Sequence, residues 1–580
     1  MCGICGFSWD DKSLIRAMSD SISYRGPDQK GYYSDKNVSI ANLRLKIIDL
    51  SNKGRQPMCN EDESVWIAFN GEIYNYKELR SELENKGHRF NSNTDTETII
   101  HLYEEYSTDC VKKLIGMFAF VIWDSKKKAL FIARDRLGKK PLFYRQNKDK
   151  FIFASEIKSI LKDKTIKIKA NYNSLRQLVD YGYHLGNDTL IEGIKELLPG
   201  HFLVFSNGRL KIKKYWEIKA DIGDESIDYY AACIRKLLED SVKKRLMSDV
   251  PLGATLSGGI DSSAIVAIMS KLGREPVQTF TTGFNSATDE FKEARVVAEH
   301  CGTRHREIII NYDDIDKAFA NIIWHMEVPF SKPSVFPTYF LSKEIKKYTT
   351  VTLIGDGSDE IFAGYNRYAP LIKCGKRDDV SKCFYSSNFN EKEKIAFFSG
   401  KTFAIKSKKN NFGISKINRN ELLNQALIFE IKKELPNIQL WRIDRMSMAH
   451  SVEMRAPFMD HKLVEFSMTI PSRFKWHDGG KKFILQKAVS DLLPRSIITR
   501  KKYPFGMPFE NYFKRNFAGI AEDVLLNPRG SYLNYKKASK LIQKAKVQKY
   551  SDDNVLRQIL FFTSLELWHR MFIEGEKIRV

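Results

Sequence analysis

The sequence predicts an α/β chain of two units, an antiparallel sandwich-like layer followed by a parallel sheet wrapped by helices. Three observations carry that prediction. Short runs of alternating apolar and polar residues crowd the first 214 positions, at the period of half-buried strands. Beyond residue 229, strand-like runs alternate with helical stretches, the pattern of a parallel sheet. Between two such elements stands Ser257-Gly258-Gly259-Ile260-Asp261-Ser262-Ser263, a glycine-rich strand-to-helix turn.

Size and composition bound the reading. A chain of 580 residues exceeds one ordinary core, so at least two domains are expected. Its 43% apolar and 28% charged residues are those of a soluble globular protein. No apolar run is long enough to cross a bilayer. The opening MCGICGFSWDDK lacks the basic and apolar regions of a secretory signal. Eight cysteines in so long a chain are no disulfide framework, so a reducing cytoplasm is expected. The net charge of +23 invites a nucleic-acid partner. However, the lysines are spread among Asp and Glu over the whole chain. The densest groups, Lys406 to Lys409 and Lys544 to Lys549, are short and lack interleaved aromatics. This charge reads as solvated surface that also suits anionic substrates. Neither nucleic acid nor membrane is an expected partner.

In the first unit, strands are predicted over Val38 to Ile48, Val65 to Phe69, Met117 to Trp123, Ala129 to Ala133, Pro141 to Arg145 and Phe151 to Ala154. Helices are predicted over Tyr76 to Lys86 and Thr96 to Tyr106. Cys2 directly follows the initiator Met. Removal of Met before this small residue would leave a terminal cysteine whose α-amine, with a pKa of about 7.7–8.0, can take the thiol proton. Cys2 and Cys5 also form a C-x-x-C, but a single pair is weak support for zinc.

Asp221 to Asp228 is acidic and lacks a periodic apolar face. The predicted division is 1–214, a linker over 215–228, and 229–580. A helix follows over Tyr229 to Ser248. Leu252 to Leu256, Val277 to Thr282, Glu307 to Ile310 and Val351 to Ile354 read as strands. Glu290 to Cys301 and Phe336 to Lys347 read as helices. Ligands of such sheets sit at the carboxyl ends of the strands, where Ser257 and Gly355 fall. At the turn after Leu256, a helix N-terminus presents unpaired N–H groups to an anion. Gly258 and Gly259 permit close approach, the serines add donors, and Asp261 adds a carboxylate that magnesium could bridge to phosphate. No lysine follows the glycines, so this is not the GxxxxGK[ST] loop. A plain Gly/Ser turn with a helix cap is the bland alternative.

The turn resembles the SGGxDSS pyrophosphate loop of enzymes that cleave ATP to AMP and pyrophosphate. Cys2-Gly3-Ile4-Cys5-Gly6, Arg25-Gly26-Pro27-Asp28, Arg44-Leu45, Asn70-Gly71-Glu72-Ile73-Tyr74-Asn75, Thr94-Asp95-Thr96-Glu97, Ala133 to Gly138 and Phe153-Ala154-Ser155-Glu156 resemble the glutaminase domain of class II glutamine amidotransferases, an N-terminal-nucleophile fold. Leu198-Pro199-Gly200-His201 and Tyr215-Trp216 stand where that domain ends in glutamine-hydrolysing asparagine synthetases. Gly355-Asp356-Gly357-Ser358-Asp359-Glu360 is similar to the second signature of their synthetase domain, and Trp441 to Asp460 to a helical segment lining its cleft.

The resemblance implies roles. Cys2 would attack the glutamine amide, with Asn70 and Gly71 holding the oxyanion. Arg44, the following Leu45, Lys46, Ile47 and Ile48, and also Glu72 and Asp95, would bind glutamine. Leu256, Ser257, Gly258, Gly259, Asp261, Ser262, Ser263, Thr282, Ile354 and Gly355 would bind ATP. Asp261 and Asp359 would share Mg2+. Lys502, within Arg500-Lys501-Lys502, would stabilise the transferred phosphate, although it also reads as one of many surface lysines. A homodimer is the family expectation. Asp356 stands where most of the family carries the glutamate linked to aspartyl-adenylate formation, and Ile354 replaces a usual serine. The acceptor is thereby left open between aspartate and another carboxylate, such as a sugar acid. A tRNA-binding ATP-pyrophosphatase would leave the N-terminal motifs without a role, and a non-catalytic scaffold would not keep Cys2, Asn70, Asp261 and Asp359.

Overall fold

The computed structural model describes residues 2–374, 387–398, 421–478, 480–500, 506–547 and 552–576. Its first unit is two stacked antiparallel sheets. One runs, edge to edge, through Lys195–Glu196, Phe143–Asn147, Lys150–Ala154, Gly3–Phe7, Val38–Arg44 and Gln29–Asp35. The other runs through Arg209–Lys214, His201–Ser206, Ala129–Arg134, Gly116–Asp124, Val65–Ile73 and Met58–Cys59. Gly116–Asp124 is buried at every position but its first, because both faces of its sheet are covered. Ala119 and Val121 pack on Ile4, Ile40 and Phe153 of the facing sheet. Phe118, Phe120 and Ile122 pack on Leu79, Leu83 and Ile99 of helices Tyr76–Glu84 and Asp95–Tyr106. Each such buried side chain contributes about 1.5–3 kcal/mol of transfer free energy.

The second unit holds a five-stranded sheet in the order Arg304–Ile309, Gln278–Gly283, Leu252–Thr255, Val351–Leu353 and Glu453–Arg455. Every pairing in it is parallel. Helix Ile227–Arg245 leads in, capped by Ser226, whose hydroxyl accepts the Tyr229 N–H. Helices Ile260–Leu272, Phe291–Cys301 and Val335–Ile345 connect the strands. Helices Phe509–Tyr512, Ala518–Leu526, Tyr535–Val547 and Asp553–Phe572 contribute to a core shared with helices Tyr312–Met326 and Val335–Ile345. Among the described residues, no helix is long and apolar enough to cross a membrane.

Three sequence expectations are corrected. The strand expected over Val38 to Ile48 ends at Arg44, because the Arg44 guanidinium turns back onto carbonyls of the following loop. Gly3–Phe7, Gln29–Asp35 and the hairpin of His201–Ser206 with Arg209–Lys214 are further strands. Trp441 to Asp460 is not all helical. Helix Leu440–Met448 is followed by Glu453–Arg455, the fifth strand of the parallel sheet.

Candidate active site

Two clusters of predicted residues assemble, one in each unit. In the first, Gly3–Phe7 and Val65–Ile73 bring the chain start beside the end of a central strand. Cys2 is buried, and its backbone N–H donates to Asn70 Oδ1 at 3.1 Å. Asn70 Nδ2 is buried and has no hydrogen-bond partner among the described residues. That leaves a buried donor beside the thiol, as an oxyanion pocket requires. Gly71 holds φ +154°, and a Cβ there would lie 2.0 Å from the Met117 carbonyl oxygen, so only glycine fits. Burial pushes the Cys2 thiol above its usual range, while the Leu45 N–H and Arg44 favour the thiolate.

Arg44 is fixed rather than free. Its Nη2 donates to the carbonyls of Ile48 (2.9 Å) and Asp49 (2.7 Å), and its Nη1 to that of Ser51 (3.3 Å). Leu45, Ile47 and Ile48 are buried in this loop, and Lys46 Nζ donates to the Leu50 carbonyl. On the other side lie carboxylates. Asp95 opens helix Asp95–Tyr106, and its Oδ2 accepts the Ile73 N–H at 2.8 Å. Burial, reinforced by Glu453, raises its pKa to about 7. Burial, with Glu453 and Asp95 nearby, raises Glu72 well above the carboxylate range. Glu72 Oε1 lies 3.6 Å from Arg455 Nη2, and its Oε2 has no hydrogen-bond partner among the described residues. Burial and the clustering of Glu72, Asp95 and Glu453 together outweigh the Arg455 guanidinium beside Glu72.

In the second unit, Leu256 directly follows strand Leu252–Thr255, its N–H on the Phe280 carbonyl. The turn is laced by its serines: Ser257 Oγ lies 3.1 Å from Ser262 Oγ, and the Gly259 N–H reaches Ser257 Oγ at 3.3 Å. Ser263 is buried in the first turn of helix Ile260–Leu272. Gly258 holds φ +69° and lies against the backbone of Glu293 and Ala294. Thr282 lies near the end of the neighbouring strand. Ile354 is buried, its N–H on the Arg455 carbonyl at 2.9 Å. A Cβ on Gly355 would lie 2.9 Å from the Ser262 nitrogen, so the two signature loops touch.

Asp261 and Asp359 are brought together, bridged by a residue the sequence reading did not single out. Lys482 Nζ lies 2.7 and 2.6 Å from the Asp261 oxygens and 2.7 Å from Asp359 Oδ1. Ser358 Oγ donates to the same Asp261 at 2.7 Å. Lys482 is buried and holds φ +55°, a left-handed conformation rare for lysine. Burial opposes its charge, but the two carboxylates outweigh burial and hold its pKa above the ordinary lysine value. The available signal was the basic Lys481-Lys482 pair directly before an apolar helical turn, Phe483 to Leu485. Lys502 lies outside the described residues. Asp356 is partly exposed, and its Oδ1 lies 3.2 Å from Arg442 Nη2, while Arg442 Nη1 donates to Ser334 Oγ at 2.7 Å.

Buried charges join the two units. Arg25 reaches Glu156 Oε1 at 2.7 Å and Asp444 at 2.9 Å, and its Nε donates to the Cys2 carbonyl at 3.2 Å. Arg445 reaches Glu156 (2.9 Å) and Glu327 (2.8 Å). Such networks are satisfied only in one arrangement.

A nucleophile-bearing antiparallel sandwich on a parallel sheet with a glycine-rich anion loop defines an enzyme that joins a glutamine amidotransferase unit to a synthase unit. The comparisons make the class particular. Residues 1–216 match the glutamine amidotransferase domain family and residues 233–570 the asparagine synthase family. The chain is 31% identical to glutamine-hydrolyzing asparagine synthetase 1 of Bacillus subtilis (strain 168), covering 99% of this chain and 97% of that one. It is 34% identical to synthetase 3 of the same organism, over 87% of each. A Gibberella zeae protein named amidase chry2 is 27% identical, over 88% of this chain and 89% of its own. The chain belongs to the glutamine-hydrolysing asparagine synthetase family.

Proposed function

We propose that this enzyme makes asparagine from aspartate, glutamine, ATP and water, releasing glutamate, AMP and diphosphate. The observation that carries the proposal is the pairing, in one chain, of two unbalanced charge sites. The first is the Cys2–Asn70 pocket ringed by Glu72 and Asp95. The second is the Asp261–Asp359 carboxylate pair closed on a buried ammonium beside the pyrophosphate-type loop.

In the first site, the α-amine of mature Cys2 takes the thiol proton, and sulfur attacks the glutamine amide carbon. Asn70 Nδ2 and the Gly71 N–H hold the resulting oxyanion. Glu72 and Asp95 take the substrate ammonium, and Arg44 with residues 45–48 takes its carboxylate side. Ammonia leaves, and water releases glutamate. In the second site, the ten loop and strand-end residues from Leu256 to Gly355 named above hold ATP. The aspartate β-carboxylate attacks the α-phosphorus and diphosphate leaves. Ammonia then displaces AMP. Adenylation is needed because a carboxylate is a poor electrophile. Ammonia must cross without protonation, and the interface between the units, closed by ion pairs, supports that passage.

Asp261 and Asp359 fit magnesium, because two hard-oxygen donors already converge on one buried cation. Bound there, Mg2+ would neutralise phosphate charge. Lys482 holds the second positive charge for the departing diphosphate, a role also open to Lys502. The units divide at 215–228. The homodimer and the cytoplasmic location are proposals from the family resemblance, and sedimentation velocity tests the first.

The decisive experiment follows 15N from the glutamine amide. It should appear in asparagine with one AMP and one diphosphate per turn. AMP formation independent of aspartate would refute the reading. One observation favours a second acceptor. Asp356, a methylene shorter than the usual glutamate, engages Arg442, so a guanidinium borders the cleft where a sugar acid or another carboxylate could be paired. Diphosphate release across a panel of carboxylates separates the two readings.

A further inference from the structure

Away from both sites, the described residues hold a cluster of metal-ligating side chains, His88, His101 and Glu104. His101 and Glu104 lie three apart on helix Asp95–Tyr106 and so share a face. His88 approaches from the connection after helix Tyr76–Glu84. His88 Nδ1 lies 3.1 Å from His101 Nδ1. Glu104 Oε2 lies 2.8 Å from His101 Nδ1 and 3.6 Å from His88 Nδ1. These three separations bracket the edge of a tetrahedron of zinc ligands, about 3.3 Å for bonds of about 2.0–2.1 Å.

The partners of each ring decide where its proton sits. His88 Nε2 lies 3.1 Å from Glu105 Oε1. His101 Nε2 is buried, 4.0 Å from Glu97 Oε1, with no hydrogen-bond partner among the described residues. The Glu105 carboxylate favours Nε2–H on His88, whereas Glu104 Oε2, 2.8 Å from His101 Nδ1, accepts a hydrogen bond from Nδ1–H of His101 in the metal-free protein. One proton thus lies among the three converging atoms, and a cation would displace it to take His88 Nδ1, His101 Nδ1 and Glu104 Oε2 together. The outer contacts are those that orient metal ligands. Besides Glu105 on His88, Asn60 Nδ2 donates to the other Glu104 oxygen at 2.8 Å.

We propose that His88, His101 and Glu104 bind a divalent transition metal, zinc by their ligand chemistry, with the fourth position taken by water. The ion fastens the His88 connection to the helix whose first residue is Asp95, and so stiffens one wall of the glutamine pocket.

The test uses the full chain carrying Cys2→Ala, which removes a competing thiol, and the metal alone as probe. Zn2+ is measured by equilibrium dialysis, and Co2+ by the visible bands of tetrahedral coordination. One ion per chain is expected. His88→Ala and Glu104→Gln, both at partly exposed positions, should each weaken binding at least tenfold and abolish the cobalt bands. Zn2+ should also slow amide exchange over residues 88–94. A parent chain that retains no zinc, variants that bind as the parent does, or unchanged exchange in that segment would each overturn the assignment.

Discussion

Lys482 offers the sharpest perturbation of the synthase site, because its ammonium lies within 2.7 Å of three carboxylate oxygens from Asp261 and Asp359. Lys482→Met keeps the stem and removes the charge. Two carboxylates then face each other, and breaking a buried pair this way costs about 3–5 kcal/mol. Added Mg2+ offsets part of that cost by occupying the same oxygens. Catalysis has no such substitute if the ammonium meets the departing diphosphate, since loss of one preorganised charge partner slows a reaction about 10²–10³-fold. The assay is diphosphate release with ATP, aspartate and ammonium, with glutamine hydrolysis measured in parallel. Diphosphate release should fall by that factor at saturating Mg2+, while glutamine hydrolysis persists. A variant releasing diphosphate at the parent rate would show that Lys482 only neutralises Asp261 and Asp359 in the resting protein, and would return the phosphate role to Lys502.

Three further outcomes follow from the glutaminase pocket. Asn70→Ala removes the unpartnered Nδ2 donor, so glutamine-driven turnover should drop about 10²–10³-fold while ammonium-driven turnover stays; loss of both would mean that the fold, not the oxyanion, had been damaged. Gly71→Ala places a methyl 2.0 Å from the Met117 carbonyl oxygen at φ +154°, so thermal unfolding should show destabilisation well above about 1 kcal/mol, with glutamine hydrolysis lost. Asp95, with a pKa raised to about 7 by burial, must ionise to pair with the substrate ammonium. KM for glutamine should therefore rise about tenfold per pH unit below 7, whereas KM for ammonium should not track this group. The sign for stability is opposite. A carboxyl whose folded pKa is raised contributes stability below its unfolded pKa near 4, and that stability is lost as pH climbs through 7. Urea titrations of the glutamine-free protein across that range check it.

What the sequence disclosed tracks the range of the forces involved. Period-2 runs such as Met117 to Trp123 report burial on a sheet, and that is local, so the predicted strands appear within a few residues. The short strands Gly3–Phe7 and Glu453–Arg455 were missed because their neighbours supply their stability. Glu453–Arg455 is three residues long and exists only against Val351–Leu353. The same holds for the sites. Cys2, Asn70 and Gly71, and the Asp261 and Asp359 loops, stand in contiguous motifs, and it is the resemblance of those motifs to a known family that singles them out. Lys482 reaches Asp261 across 221 residues of sequence from a strained backbone position, and the local Lys481-Lys482 pair does not say which carboxylates it meets. The His88–His101–Glu104 group escaped for the same reason, since only the fold sets the connection before residue 90 against the helix after 95.

The fifth strand also explains how two distant chemistries share one frame. Along Glu453–Arg455 the side chains alternate. Glu453 and Arg455 reach the first unit, where Arg455 meets Glu72 and Glu453 raises Asp95. Met454, between them, packs into the core of the second unit. On its other flank the strand pairs with Val351–Leu353, whose chain continues into Ile354, Gly355 and Asp356. One backbone ladder therefore fixes the Glu72 and Asp95 carboxylates relative to the Gly355–Asp356 loop. Arg455 is itself held by the Arg245 and Met247 carbonyls and by Glu453, so its register cannot shift without breaking several buried bonds at once. The distance between where ammonia would be released and where it would be consumed is thus set by hydrogen-bonded backbone.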